Sequence, residues 1–346
     1  MMEAEKNIAT PFSELQMIRR RCLRAHHANS SCSACMDVCD RKALYLSDGR
    51  VCIDRNRCTQ CGKCTSVCQT EALSFGKNSE SALDAVLFAG KKALRLTCSQ
   101  CTEEKSDFRL HCFHQLKKSF IAEAAAAGVA DLTCISGPCR GCACKGANDE
   151  PRDRVAADIS SFGVQNKVRL TWETKAAEVQ LAKRQLLKNV LAEVKNDTAA
   201  DSGDSTEPWK RVPDGRKRLL WGVKKIFADC AASLDSKKHF FIPGIDSAKC
   251  NGCAACASSC PTGALKIEKR GDNLAYVCAS YACVGCGLCR DVCFPKAVTL
   301  SRVEDPTQLL NGQSAVLHVC GELKIDEEDC WENKIGKMFN APIYRT

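Results

Sequence analysis

Cys39-DRKALYL, Cys68-QTEALSF, Cys260-PTGALKI and Cys293-FPKAVTL are four copies of one short phrase. Each reads Cys, three residues, Ala, then Leu or Val, one unrestricted residue and an apolar one. The alternation after the Ala predicts a short half-buried strand. Every copy also closes a run of closely spaced cysteines. Thiolates gathered at such spacing hold iron–sulfur clusters, and a fourfold repeat predicts several clusters in one polypeptide.

The C-terminal runs carry the most specific spacing. They read Cys250-x2-Cys253-x2-Cys256-x3-Cys260-Pro and Cys283-x2-Cys286-x2-Cys289-x3-Cys293. Three thiolates two residues apart wrap three irons of one cubane, while the fourth, on the next helical turn, points away from it. This doubled register resembles the bacterial-type dicluster ferredoxins. The resemblance implies crossed ligation: Cys250, Cys253, Cys256 and Cys293 for one [4Fe–4S] cluster, and Cys283, Cys286, Cys289 and Cys260 for its neighbour. Gly252, Gly285 and Gly287 suit that role, because they let backbone N–H groups approach the cluster sulfurs.

The N-terminal half repeats the plan with one departure. Cys58-x2-Cys61-x2-Cys64-x3-Cys68 is intact, but in HHANSSCSACMDVC Asn29 stands where the first Cys of the partner run belongs. By the same resemblance Cys58, Cys61, Cys64 and Cys39 form one set. Cys32, Cys35 and Cys68 need a fourth ligand, and Cys22, ten residues before Cys32, is the expected replacement. His26 or His27, or a three-iron cluster, are the alternatives. A Pro commonly follows the fourth Cys in this family; here only Cys260 has it, and Asp40, Gln69 and Phe294 stand at the other three places. Cys52 and Cys278 lie on strands leading into a run and are expected to pack as buried apolar side chains.

Between the halves, ALRLTC, FRLHC and VADLTCI read as buried strands, with a helix over HQLKKSFIAEAAAAG. A helix near 149–162 and a strand at Lys167–Thr171 extend an alternation that predicts an open, mostly parallel sheet. Cys98, Cys112 and the segment ISGPCRGCACKG then fall at the carboxyl edge, where such sheets bind ligands. Cys98, Cys112, Cys139 and Cys142 are the expected metal ligands, with Cys101 and Cys144 as competitors. The arrangement loosely resembles the delta (iron–sulfur) subunit of methyl-viologen-reducing hydrogenase, which implies a [2Fe–2S] cluster; zinc or structural thiols are the alternatives. No G-x-G-x-x-G or phosphate-loop lysine follows a strand, so the sequence offers no nucleotide site. Cys230, Cys320 and Cys330 have no predicted partners.

The fold class expected is α+β multidomain, two dicluster ferredoxin-like modules flanking a small α/β parallel-sheet domain. The modules are placed at residues 1–80 and 241–303 and the sheet domain at 81–172. A helix, an acidic linker (196–208) and a basic segment, expected to be a solvated amphipathic helix, fill 173–240; a tail with a strand at SAVLHVC fills 304–346.

Composition agrees with a metal framework. Of 346 residues 28 are Cys, about the share at which one is suspected. The N-terminus shows no apolar signal core, so a cytoplasmic, reducing setting is expected, where such cysteines bind metal rather than pair. The formal charge of +9 is expected to offset cluster charge rather than to bind nucleic acid. Four oxidised clusters at about −2 each bring the holoprotein near +1. No acid, base or nucleophile is assembled, so the expected function is one-electron transfer in an oxidoreductase system. The expected partners are a hydrogenase, a molybdenum or tungsten dehydrogenase, or a disulfide reductase, with no membrane span. A maturation or metal/sulfur-carrier protein is the alternative.

Overall fold

The structure, a computed structural model, describes residues 14–101, 105–144, 150–175, 211–229, 239–271, 273–303, 310, 312 and 314–320. The acidic linker, most of the predicted helix at 173–195, Cys230 and Cys330 lie outside them. The chain forms two compact units, one of residues 1–28, 33–209 and 213–238, the other of 29–32, 210–212 and 239–346.

The first unit is built on a four-stranded parallel sheet in the order Phe108–Leu110, Ala93–Cys98, Asp131–Ser136, Arg169–Thr174. Helices Lys118–Ala126 and Pro151–Ser161 precede the third and fourth of these strands in sequence, as parallel connections require. Leu94, Leu96, Leu110, Leu132 and Cys134, which strand alternation and register place on one face of the sheet, are completely buried, whereas the edge strand Arg169–Thr174 stays partly exposed. The alternation read from the sequence is therefore present, with one shift. Glu173 and Thr174, placed in the following helix by their helix-forming neighbours, instead extend the last strand, paired with Ile135 and Ser136.

The basic segment folds as helix Asp214–Asp229. It is not simply solvated: Leu219, Val223 and Ile226 are buried. Gly222 lies so close to helix Lys118–Ala126 that a Cβ would stand 2.7 Å from the Ala122 carbonyl carbon. Arg218 pairs with Asp84 and, at 3.4 Å, with the buried Glu123. Burial raises the Glu123 carboxyl despite that arginine. The same unit holds the hairpin Leu44–Ser47/Arg50–Ile53, whose two-residue turn has positive φ at Asp48 (49°) and Gly49 (72°), the pair a primed hairpin turn demands. Strand Gln16–Met17 pairs with Leu73–Ser74.

The second unit contains an antiparallel sheet in the order Leu265–Arg270, Asn273–Ala279, Ser314–Cys320, the last being the strand expected in the tail. A second ribbon pairs Phe241–Ile245 with Val298–Arg302. Its core gathers Cys256, Cys260, Ala264, Leu265, Tyr276, Cys278 and Val298. Among the described residues, no helix is long and apolar enough to cross a membrane.

Candidate metal centres

The four copies of the opening phrase fold alike. In each, the residue three after the Cys donates its N–H to the Cys carbonyl: Lys42 to Cys39, Glu71 to Cys68, Gly263 to Cys260 and Lys296 to Cys293. Each of those third residues is left-handed, with φ of 50°, 54°, 64° and 53°. The turn aims a following N–H at the sulfur. Ala43 reaches Cys39 Sγ at 3.3 Å, Ala72 reaches Cys68 at 3.2 Å and Ala297 reaches Cys293 at 3.2 Å, while at Cys260 it is Leu265, at 3.5 Å. All four alanines are buried, and the next residue begins a strand. The repeated Ala is thus small because it is packed at the turn between thiolate and strand.

The runs before these turns share a second device. Residues flanking the middle Cys are both left-handed in three runs: Gln60 and Gly62, Gly252 and Ala254, Gly285 and Gly287. This winding turns successive N–H groups inward, the geometry of an anion-binding nest. In the run with Asn29 in place of Cys, neither Ser31 nor Ser33 is left-handed. The departure in ligand spacing is matched by a departure in backbone.

In the second unit the thiols are electrostatic neighbours of one another, and Cys289 feels Cys256 as well as Cys283 and Cys260. Cys256 feels Cys253, Cys293 and Cys250, while Cys286 feels Cys283, Cys289 and Cys260. Burial first, then these neighbours, pushes Cys256, Cys286 and Cys289 up to about 12. Backbone N–H groups of Ala257, Leu288 and Arg290 oppose that by bonding the same sulfurs. Cys253 is the exposed member and Phe294, beside Cys293, is 94% exposed. Cys278 is buried as expected, and it lies next to Cys283, Cys260 and Cys289.

In the first unit a cavity is lined by Cys39, Cys58, Cys61 and Cys64 together with Ala43 and Gly62. Cys58 and Cys64 are raised by burial and by the neighbouring thiols. Lys63, which lies between Cys61 and Cys64 in sequence and is buried, binds Asp40 at 2.6 Å and lowers its carboxyl. Cys22 and Cys35 pack with Cys39 and Cys58 against Leu15, Leu44, Leu73 and Phe75. Of the two alternative ligands, His27 is half-buried, and His26 is exposed with its Nε2 bonded to the Arg20 carbonyl. Cys32 belongs to the stretch 29–32 grouped with the second unit. Cys52 is not buried as expected: it sits half-exposed on the hairpin, whose outer face is wet.

At the carboxyl edge of the parallel sheet, Cys142 is an electrostatic neighbour of Cys98, Cys112 and Cys139. Burial pushes Cys112 up to about 12. Gly137 N–H donates to Cys98 Sγ at 3.2 Å, and Cys101 is buried beside Cys98. Cys144 is raised first by its hydrogen bond with Cys142, then by burial. Cys134 is buried within its strand, raised by desolvation. Its alternation with Leu132 shows it as core, a reading that strand periodicity alone supplies. Among the described residues, no three His, Cys, Asp or Glu side chains close on one point as a single ion needs.

Residues 249–298 match the 4Fe-4S dicluster domain, and residues 51–74 match the 4Fe-4S binding domain. These segments are 4Fe-4S ferredoxin-type domains. Neither match extends into residues 75–248, and no curated protein and no solved structure matches the chain. The donor sets fit the cofactor. Buried thiols that mutually raise their proton affinity are costly as bare thiolates, and iron supplies the positive charge that removes the penalty. The matched domains and the abundance of cysteine point to an iron–sulfur electron-transfer role.

Proposed function

We propose that this protein relays single electrons through four [4Fe–4S] clusters and a fifth iron–sulfur centre, as a subunit or partner of a larger redox enzyme. The observation that carries the reading is the fourfold recurrence of one left-handed turn that aims an N–H at a Cys sulfur. In the second unit Cys250, Cys253, Cys256 and Cys293 hold one cluster and Cys283, Cys286, Cys289 and Cys260 the other. In the first, Cys39, Cys58, Cys61 and Cys64 share a cavity. Cys22 completes Cys32, Cys35 and Cys68; the packing of Cys22 and Cys35 against the same core of Leu15, Leu44, Leu73 and Phe75 supports it, and the bond of His26 to a carbonyl favours it over that histidine.

Cys98, Cys112, Cys139 and Cys142 hold the fifth centre, supported by the position of Cys142 near the other three. Bound clusters supply one-electron chemistry. The chain's own groups supply what tunes it: N–H donors to sulfur raise a reduction potential, and burial removes water. A hydrogenase, a molybdenum or tungsten dehydrogenase, or a disulfide reductase is the partner class.

Anaerobic purification with iron and sulfide analysis and EPR tests the proposal. About sixteen irons from the two ferredoxin-type regions, plus those of the fifth centre, are expected. Cys250→Ser should remove one cluster signal and leave the N-terminal ones. Fewer than about eight irons, two clusters' worth, would reject the two-module reading.

A further inference from the structure

The segment that follows the third strand of the parallel sheet does more than supply thiols to the sheet edge. Ala143 and Cys144 form part of the wall of the cavity lined by Cys39, Cys58, Cys61 and Cys64. Arg41, inside the first copy of the repeated phrase, holds them there: its Nε and Nη2 donate to the Ala143 carbonyl at 3.1 and 2.9 Å. The Cys144 thiol donates to the Thr59 carbonyl at 3.3 Å, within the loop between Cys58 and Cys61. Cys142, two residues earlier in the chain, and Cys61 are both electrostatic neighbours of Cys144.

A second approach runs alongside. Cys112 is an electrostatic neighbour of both Cys61 and Cys142. Gly62, left-handed at φ 80°, lies so near the loop after Cys112 that a Cβ would stand 2.9 Å from Gln115 Cα. Gly62 therefore packs directly against Gln115 and the Phe75 ring, with no room for a side chain of its own. Structural packing alone does not require three thiols in succession, Cys142, Cys144 and Cys61, along this seam.

We infer that Cys144 is the bridge by which the centre at the sheet edge exchanges electrons with the cluster at Cys39, Cys58, Cys61 and Cys64, and that Arg41 is the positioning residue that holds the bridge closed. The inference rests on the reading of Cys98, Cys112, Cys139 and Cys142 as a redox centre. The step moves one electron from the reduced centre to the oxidised one; no bond forms or breaks and no co-reactant is consumed. The sheet domain is then a station in the relay, and the seam is its connection to the N-terminal cluster pair.

The test uses the full-length chain, purified anaerobically, with its Cys144→Ala, Arg41→Gln and Cys112→Ser variants. Iron is counted, and electron redistribution after a rapid pulse of reductant is followed by freeze-quench EPR. Cys112→Ser should lose the iron of the sheet-edge centre and, with it, the broadening that this centre's spin imposes on the neighbouring cluster. Cys144→Ala and Arg41→Gln should keep the full iron count yet slow redistribution between the two centres by about tenfold or more. Wild-type rates in both variants would overturn the inference. Loss of iron from Cys144→Ala would also overturn it, by making Cys144 a ligand. An unchanged iron count in Cys112→Ser would be a different failure, that of the sheet-edge centre itself.

Discussion

Ala297 donates its backbone N–H to Cys293 sulfur at 3.2 Å, across a turn whose third residue, Lys296, is left-handed at φ 53°. The bond exists only while that residue tolerates the left-handed region, which a β-branched side chain does at a cost of roughly 1–2 kcal/mol. Lys296→Val should therefore release iron at lower denaturant concentration than wild type, followed by loss of visible absorbance. Lys296→Gly, which copies Gly263 of the neighbouring turn, should not. Equal behaviour of the two variants would show that the turn is not under backbone constraint.

Gly137 offers a selective probe of the sheet-edge centre. A Cβ there would stand 2.3 Å from the Gln100 carbonyl oxygen, and its N–H bonds Cys98. Gly137→Ala should push apart the two segments that carry Cys98 and Cys139. Iron at the sheet edge should fall, while the EPR signals of the ferredoxin-type clusters persist.

Glu71, three residues beyond Cys68, ties the repeated turn to the basic helix. Its carboxylate accepts the N–H groups of Asp214 (3.2 Å) and Gly215 (2.9 Å) and pairs with Lys117 at 3.1 Å. Desolvation works against the Lys117 charge, but Glu71 and Glu80 raise its pKa on balance. Glu71→Ala should cost about 2–3 kcal/mol, less than a fully orphaned buried charge because Glu80 still faces the lysine. Chemical denaturation would measure it, and an unchanged midpoint would refute the capping role.

The metal-free chain should be alkali-sensitive. Burial holds Cys112, Cys256, Cys286 and Cys289 at about 12, above the ordinary value of 9.0. Above pH 9 an unfolded chain loses thiol protons that the folded chain keeps, so the unfolded state binds fewer and stability falls as pH rises. The contribution is complete below pH 9 and is lost by about pH 12. In the iron-loaded chain these thiolates are already ionised and coordinated, so its unfolding midpoint should vary less between pH 8 and about 11. Parallel midpoint curves for the two forms would contradict this account.

Much of the site was readable from spacing. The phrase Cys-x3-Ala-Leu located the four turns, and the parallel strands around Leu94, Leu110 and Leu132 were legible as buried apolar runs. Glu173 and Thr174 were misplaced because helix propensity after them is strong while the pairing that claims them, with Ile135 and Ser136, is distant in sequence. Cys52 and Cys278 looked equivalent on their strands. The first lies on a wet hairpin and the second in a core, a difference that only tertiary packing creates.

The sequence by itself determined which cysteines stand at cluster spacing, where the first run departs, and that strands alternate with helices between the halves. These are local matters: turn chemistry, periodicity and the reach of a few residues of chain. Only the tertiary structure decided that Arg41 holds Ala143, that Cys144 meets Thr59, and that the basic helix buries Val223 instead of floating in solvent. Those contacts join residues about a hundred positions apart. Their existence depends on how a packed core closes, which no short-range pattern encodes.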